Sequence, residues 1–189
     1  MRMTRSFSRT FLILPLLTAG AVLLSSPALA QRAQHAHVHG KVELGIAVDG
    51  PSVTIEMESP LDNLLGFERP PRTDVEKNAV EQMVARLRAA DHLFQIDPAA
   101  GCKLGPVQLE SAALGLGKAE PDKDGHAELE ASFAFNCTNA AKARFVDTQL
   151  FEAFPATRQI EAEIAAPDGQ FKRSLKRPAS GSARIGWGK

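Results

Sequence analysis

Two runs of alternating residues, joined by Asp49-Gly50-Pro51, constrain this chain more than any other feature. In 41–48, Val42, Leu44, Ile46 and Val48 fall on one side of an extended backbone. In 52–58, Val53, Ile55 and Met57 point inward while Glu56 and Glu58 point outward. Side chains change faces with period two along a strand, so each run reads as a half-buried strand. Asp-Gly between two such runs is a hairpin signal.

The remaining pattern adds one main helix and further strands. Ser59-Pro60-Leu61-Asp62 opens a short helix, with Ser59 as its cap and Pro60 at the first helical position. Asp62 complements the positive end of its dipole, and Gly66 ends it. Thr73-Asp74-Val75-Glu76 is a capping box, and the helix it opens extends to about Ala90. Val80, Met83, Val84 and Leu87 form its apolar stripe. Residues 93–96 form a short strand, and 102–113 carry a strand with weak alternation. Residues 115–125 form a polar loop. In 127–136, Leu129, Ala131, Phe133 and Phe135 face one way, and Glu128, Glu130 and Ser132 the other. Residues 143–150 read as a strand, and Phe151-Glu152-Ala153-Phe154-Pro155 as an aromatic turn that plugs the core. The runs 158–166 and 170–176, joined by Pro167-Asp168-Gly169, read as a second hairpin. The expected fold is α+β: an antiparallel β-sheet or sandwich of hairpins with one main covering α-helix.

Cys102 and Cys137 are the only cysteines. They lie at the outer ends of the two segments that flank the polar loop, so a hairpin pairing those segments brings them together. An even count in an exported chain favours a disulfide. The alternative is a two-thiolate zinc site, which an oxidising compartment disfavours. A bridge closing a loop of about 35 residues is worth roughly 3–4 kcal/mol in the chain-entropy model.

Export is read from residues 1–30. Arg2, Arg5 and Arg9 make a basic start, 11–24 is an apolar core interrupted by Pro15, and Ala28-Leu29-Ala30 is a small-residue exit. This is the pattern of a signal peptide cleaved after Ala30, with a retained anchor as the alternative. The chain past it, residues 31–176, is expected to be a single exported domain, with a loose Ser/Gly/Ala-rich tail over 177–189. No later stretch approaches the ~18 apolar residues of a membrane span. The whole chain has 22 basic and 22 acidic residues, and three of the basic ones lie in the leader. The mature protein is therefore acidic by three charges, which gives no reason to expect nucleic acid as a partner.

Chemistry concentrates in the histidines. Three of the five occur at alternate positions in His35-Ala36-His37-Val38-His39-Gly40. Neutral imidazole is a common ligand for zinc and copper. On a flat strand, residues two apart are separated by roughly 6.5–7 Å, whereas zinc holds its nitrogens at about 2.0–2.1 Å. A flat strand cannot bring all three to one ion. A bent segment could, and Gly40 permits a bend. The competing reading is a His-rich, frayed N-terminus. His126 follows the acidic run Asp122-Lys123-Asp124 and could be a further ligand. His92, at the end of the main helix, complements the helix dipole. No HExxH, GxSxG, Walker or CxxC motif occurs, and no nucleophile–base arrangement can be defended. The chain is expected not to be an enzyme.

The runs His37-Val38-His39-Gly40-Lys41-Val42-Glu43-Leu44, Glu58-Ser59-Pro60 with Asn63-Leu64-Leu65-Gly66-Phe67-Glu68, the aromatic turn, and Asp168-Gly169-Gln170 carry a resemblance. Together they resemble the zinc-regulated periplasmic proteins of the ZrgA type, a domain of otherwise unknown function. The resemblance spans nearly the whole mature chain and implies zinc binding in the periplasm in support of zinc uptake. It places His37 and His39 in the shared motif. Two departures stand out: the loop over 115–125 is short and poor in histidine, and Arg69 stands where relatives often carry a histidine. Arginine stays protonated and cannot ligate.

The expectation is a periplasmic zinc-binding accessory protein that buffers zinc or hands it to a zinc ABC-transporter binding protein. Its ligands would come from His37 and His39, with His35 and His126. Two N-termini could also share one ion across a homo-oligomer. The rival reading is a metal-independent envelope interaction or structural domain.

Overall fold

The computed structural model of the protein describes residues 38–118 and 127–188. The expected signal peptide, His35, His37 and His126 lie outside the described residues.

Strand β1 (Lys41–Asp49) and strand β2 (Ser52–Pro60) form the hairpin that the alternation predicts, in register from Glu43 opposite Glu58 to Asp49 opposite Ser52. Helices α1 (Leu61–Leu65) and α2 (Asp74–Arg88) follow. A 3₁₀ turn over Ala90–His92 leads to β3 (Phe94–Ile96), and β4 (Cys102–Glu110) comes next. Strands β5 (Glu128–Cys137) and β6 (Phe145–Thr148), helix α3 (Leu150–Ala153), and β7 (Gln159–Ala166), β8 (Gly169–Lys176) and β9 (Ala183–Gly186) complete the order.

The main sheet has six strands in the order β4-β5-β2-β1-β7-β8, and a second sheet has the order β3-β6-β9. All pairings are antiparallel except β1 with β7, which run parallel from Lys41 opposite Gln159 to Ala47 opposite Ala165. The fold is α+β, as expected, and the covering layer is shared. Helix α2 contributes only Met83 and Leu87 as fully buried residues. The small sheet supplies Phe94, Val146 and Ile185 to the same core. Phe94 meets Phe133 of β5 with ring centroids 5.2 Å apart. Leu150, Phe151 and Phe154 are buried, so the aromatic turn does plug the core.

Cys102 pairs in register with Cys137 and forms the expected disulfide. The Thr73–Glu76 capping box forms, with the side chain and backbone of each residue bonded reciprocally. Two local expectations are corrected. Ser59 does not cap α1: the strand runs on through Pro60, which is itself the N-cap, and the Ser59 hydroxyl bonds Pro60 O at 3.1 Å. The C-terminal stretch is not uniformly loose either. Ala183–Gly186 pairs with β6, and Ile185 and Trp187 are buried. Ser, Gly and Ala fill the connection before the strand, and its two large apolar side chains find the core.

The open face of the main sheet is acidic. Glu110 stands opposite Glu130, Glu130 opposite Glu58, Glu58 opposite Glu43, and Glu43 opposite Glu161. Five carboxylates therefore cross five neighbouring strands in one row. Beside the row lies an open trough of about 550 Å³, lined in part by Gly45, Ala47 and Ala165 and edged by Glu56, Glu163 and Lys172.

Candidate functional site

The segment leading into β1 does not arrive as a flat strand. Lys41 N–H bonds Val38 O at 2.9 Å, closing a tight turn with His39 and Gly40 at its corner. Gly40 has φ +84°, a conformation other residues rarely adopt, and a Cβ there would lie 3.2 Å from Arg158 Cδ. The bend that Gly40 permits is thus present. It takes His39 out of the period-two face of β1.

Asn63 of α1 holds this turn from behind. Its Oδ1 accepts Gly40 N–H at 2.6 Å, and its Nδ2 donates to Lys41 O at 2.8 Å and to Ser59 Oγ at 3.3 Å. Asn63 is buried, so its side chain replaces the water that would otherwise satisfy these backbone groups. Gly40 O accepts from Arg158 N–H at 2.7 Å and Gln159 N–H at 2.9 Å, which fixes the turn to the start of β7.

His39 projects from this anchored turn toward two carboxylates. Its Nδ1 lies 3.7 Å from Asp62 Oδ2, and its Nε2 lies 3.1 Å from Glu68 Oε1. The imidazole is 61% exposed while Glu68 is 18% exposed, so an ion can reach the ring and a carboxylate is already held beside it. Both acidic residues are placed by α1: Asp62 in its first turn, and Glu68 just past Gly66, whose left-handed backbone ends the helix.

Arg69 has a task other than metal ligation. Its Nη1 and Nη2 donate to Glu76 at 3.0 and 2.7 Å, and its guanidinium lies over the Phe67 ring at 5.1 Å. Glu76 also accepts from Arg72 N–H and Thr73 N–H. Hydrogen bonds from Arg69 first, and then from Arg72, hold the Glu76 carboxyl down at about 2. Arg69 therefore locks the connection between α1 and α2 to the start of α2.

Among the described residues, no group of three or more His, Cys, Asp or Glu side chains converges as a metal cage. The reason at His39 is geometric: Asp62 and Glu68 face opposite ring nitrogens, so the three do not share a centre. Of the sequence-predicted ligands, His39 alone is described. His92 lies exposed on the 3₁₀ turn after α2. The cysteines are spent on each other, which leaves no two-thiolate site.

Sequence reasoning missed Asn63, Asp62 and Glu68 as neighbours of His39. Asp62 complements the helix dipole from the first turn of α1 and faces His39 as well. A signal for the others was present. Asn63 and Glu68 bracket the apolar run Leu64-Leu65-Gly66-Phe67, on a segment too short to need a polar helix face of its own.

The family whose model matches this chain is described as "ZrgA family zinc uptake protein", and the match covers residues 36–183. No curated protein matches the chain.

Proposed function

The chain belongs to the ZrgA family of zinc uptake proteins, and on that premise we propose that it is a non-catalytic, periplasmic zinc-binding accessory protein. Zinc is its cargo, which it buffers or passes to the binding protein of a zinc ABC transporter. His39 is the anchor of the site, with His37 and His35 as the nearest further donors in sequence and His126 as a donor from the polar loop.

The observation that carries this reading is the mounting of His39. An exposed imidazole sits on a turn tied down by the buried Asn63, with a carboxylate within 3.7 Å of each ring nitrogen. Imidazole and carboxylate are the donor types zinc takes in exchangeable sites, and pre-positioned donors lower the ordering cost of binding. A local negative field also favours a dication. The expected export signal and the acidic balance of the mature chain fit a periplasmic cation carrier. Among the described residues, no helix is long and apolar enough to cross a membrane.

Calorimetric titration of chelator-treated mature protein with zinc tests this, beside the His35/His37/His39→Ala variant. Saturable binding that the variant loses is the expected result. Less than about a tenth of an equivalent bound at micromolar protein, well above any useful Kd, would overturn it.

The open face of the main sheet favours a second reading. Its carboxylate row, with the largely apolar trough beside it, forms a surface suited to contact with another envelope protein without metal. In that case melting curves with and without chelator coincide, because only a ligand bound to the folded state raises stability.

A further inference from the structure

We propose that Glu68 is a zinc ligand of this protein, forming a two-residue chelate with Nε2 of His39, and that Asp62 is the positioning residue for the ring. The inference rests on the zinc reading above and supplies the carboxylate half of that site.

The distance is the first argument. With ligands at about 2.0–2.1 Å, two donors of a tetrahedral zinc are about 3.3–3.4 Å apart. His39 Nε2 and Glu68 Oε1 are 3.1 Å apart. A shift of a few tenths of an ångström, within reach of a half-exposed imidazole, opens the pair to an ion. The 3.7 Å between Nδ1 and Asp62 Oδ2 fits such an edge less well and exceeds a direct hydrogen bond.

The second argument is how each donor is held. The backbone beside His39 is fixed through Gly40 and Lys41 by Asn63. Glu68 sits between the end of α1 and Arg69, and Arg69 is turned away to make its paired hydrogen bonds with Glu76. Glu68 presents its Oε1 to His39 Nε2 at 3.1 Å. The two donors come from separate anchored elements, which is the support a site needs to hold its geometry before the ion arrives.

The third argument is the other ring nitrogen. Ligating histidines commonly present their second nitrogen to a carboxylate or carbonyl, which fixes the tautomer and raises ligand basicity. Asp62 supplies a negative charge on the Nδ1 side. In the metal-free protein the nearer carboxylate, Glu68, accepts the ring N–H from Nε2 at 3.1 Å; zinc displaces that proton, and Asp62 lies on the side where Nδ1 then carries the remaining one. One nitrogen and one carboxylate oxygen, with water on the open side of the ring, make a borderline site suited to zinc and accessible for release.

The test uses chelator-treated mature protein and zinc competition against a chromophoric chelator, with His39→Ala, Glu68→Gln and Asp62→Asn variants. Glutamine keeps an oxygen that can accept from a ring N–H, so a role limited to holding His39 survives Glu68→Gln and ligation does not. Glu68→Gln is expected to weaken zinc by more than about tenfold without lowering the melting temperature of the metal-free protein. It should also alter the visible spectrum of the cobalt-substituted protein. Asp62→Asn is expected to weaken zinc by about tenfold and to shift the His39 ring resonances in long-range ¹H–¹⁵N spectra of the zinc-bound protein. If Glu68→Gln binds zinc within about threefold of the parent, under 1 kcal/mol, while His39→Ala loses it, Glu68 is not a ligand and the zinc reading stands. If His39→Ala binds like the parent, the metal lies elsewhere and this inference falls. If the parent itself binds no zinc, the function falls with it.

Discussion

Asn63 Oδ1 accepts the Gly40 N–H at 2.6 Å across 23 residues of chain, joining the first turn of α1 to the corner that carries His39. The same side chain donates to Lys41 O at 2.8 Å. Replacing Asn63 with alanine leaves a buried N–H and a carbonyl without their partner, and each such group costs about 1–3 kcal/mol. Asn63→Ala is therefore expected to lose about 2–4 kcal/mol in urea unfolding. If the turn mounts the metal site, the variant also binds zinc more weakly even at temperatures where it is fully folded. Unchanged urea unfolding would mean that water takes over both bonds.

A second prediction concerns pH. The Glu76 carboxyl is lowered from 4.5 to about 2 by its bonds to Arg69, Arg72 and Thr73. A carboxyl depressed in the folded state adds stability above its unfolded value and loses it as pH falls toward the folded value. Part of the protein's stability should therefore drain away between pH 4.5 and about 2. Glu76→Gln removes this contribution: the variant is less stable at pH 7, and its stability falls less over that window. Parallel stability–pH curves for the two proteins would show that the Arg69–Glu76 lock contributes nothing.

These two sites also show what local sequence could and could not announce. The Thr73–Glu76 box, the β1–β2 and β7–β8 hairpins and the Cys102–Cys137 pair were legible because each depends on residues close in sequence or on a period of two. The parallel pairing of β1 with β7 was not, because it joins segments more than a hundred residues apart and either strand would alternate identically in an antiparallel pair. Ser59 looked like a helix cap because Ser-Pro commonly opens helices, yet sheet pairing to β5 extends β2 through Pro60. His39 was found from its histidine-rich run. Asp62 and Glu68 were not, since they reach it only through the turn that Asn63 holds closed.

The disulfide supports an edge. Strand β4 lies at one end of the main sheet, and its pairing with β5 is interrupted by a register shift between Leu104 and Val107. Pro106, between those residues, has no N–H to give a ladder. Cys102–Cys137 closes a separation of 35 residues at the end of that ladder. Cys102→Ala with Cys137→Ala is expected to cost about 3–4 kcal/mol in the chain-entropy model. Hydrogen exchange should quicken in Cys102–Glu110 well before it quickens in the central strands β1 and β2. Uniform acceleration across the sheet would instead point to a purely global loss of stability.

The carboxylate row on the open face carries a cost that can be measured. Neighbouring strands lie about 4.7–4.9 Å apart, and like charges directly opposite one another are destabilising by up to about 1 kcal/mol. Glu130 faces Glu58 on one side and Glu110 on the other. Glu43 also stands between two acids, but Lys41 Nζ lies 2.5 Å from its carboxylate. The Glu161 carboxyl is held low by hydrogen bonds from Ser174 and then Gln159. The charge at one end of the row is thus compensated, whereas an exposed Glu130 between two acids gains nothing from either neighbour. Glu130→Gln is therefore expected to raise stability by about 0.5–1 kcal/mol at low salt. The gain should shrink toward zero near 1 M salt, where screening acts within about 3 Å. Glu43→Gln removes a comparable repulsion together with the Lys41 pair, so its gain should be smaller. A loss of stability in Glu130→Gln would show that the row is held by attractive contacts, and the acidic face would then be a stabilising feature of the fold rather than a surface kept at a cost.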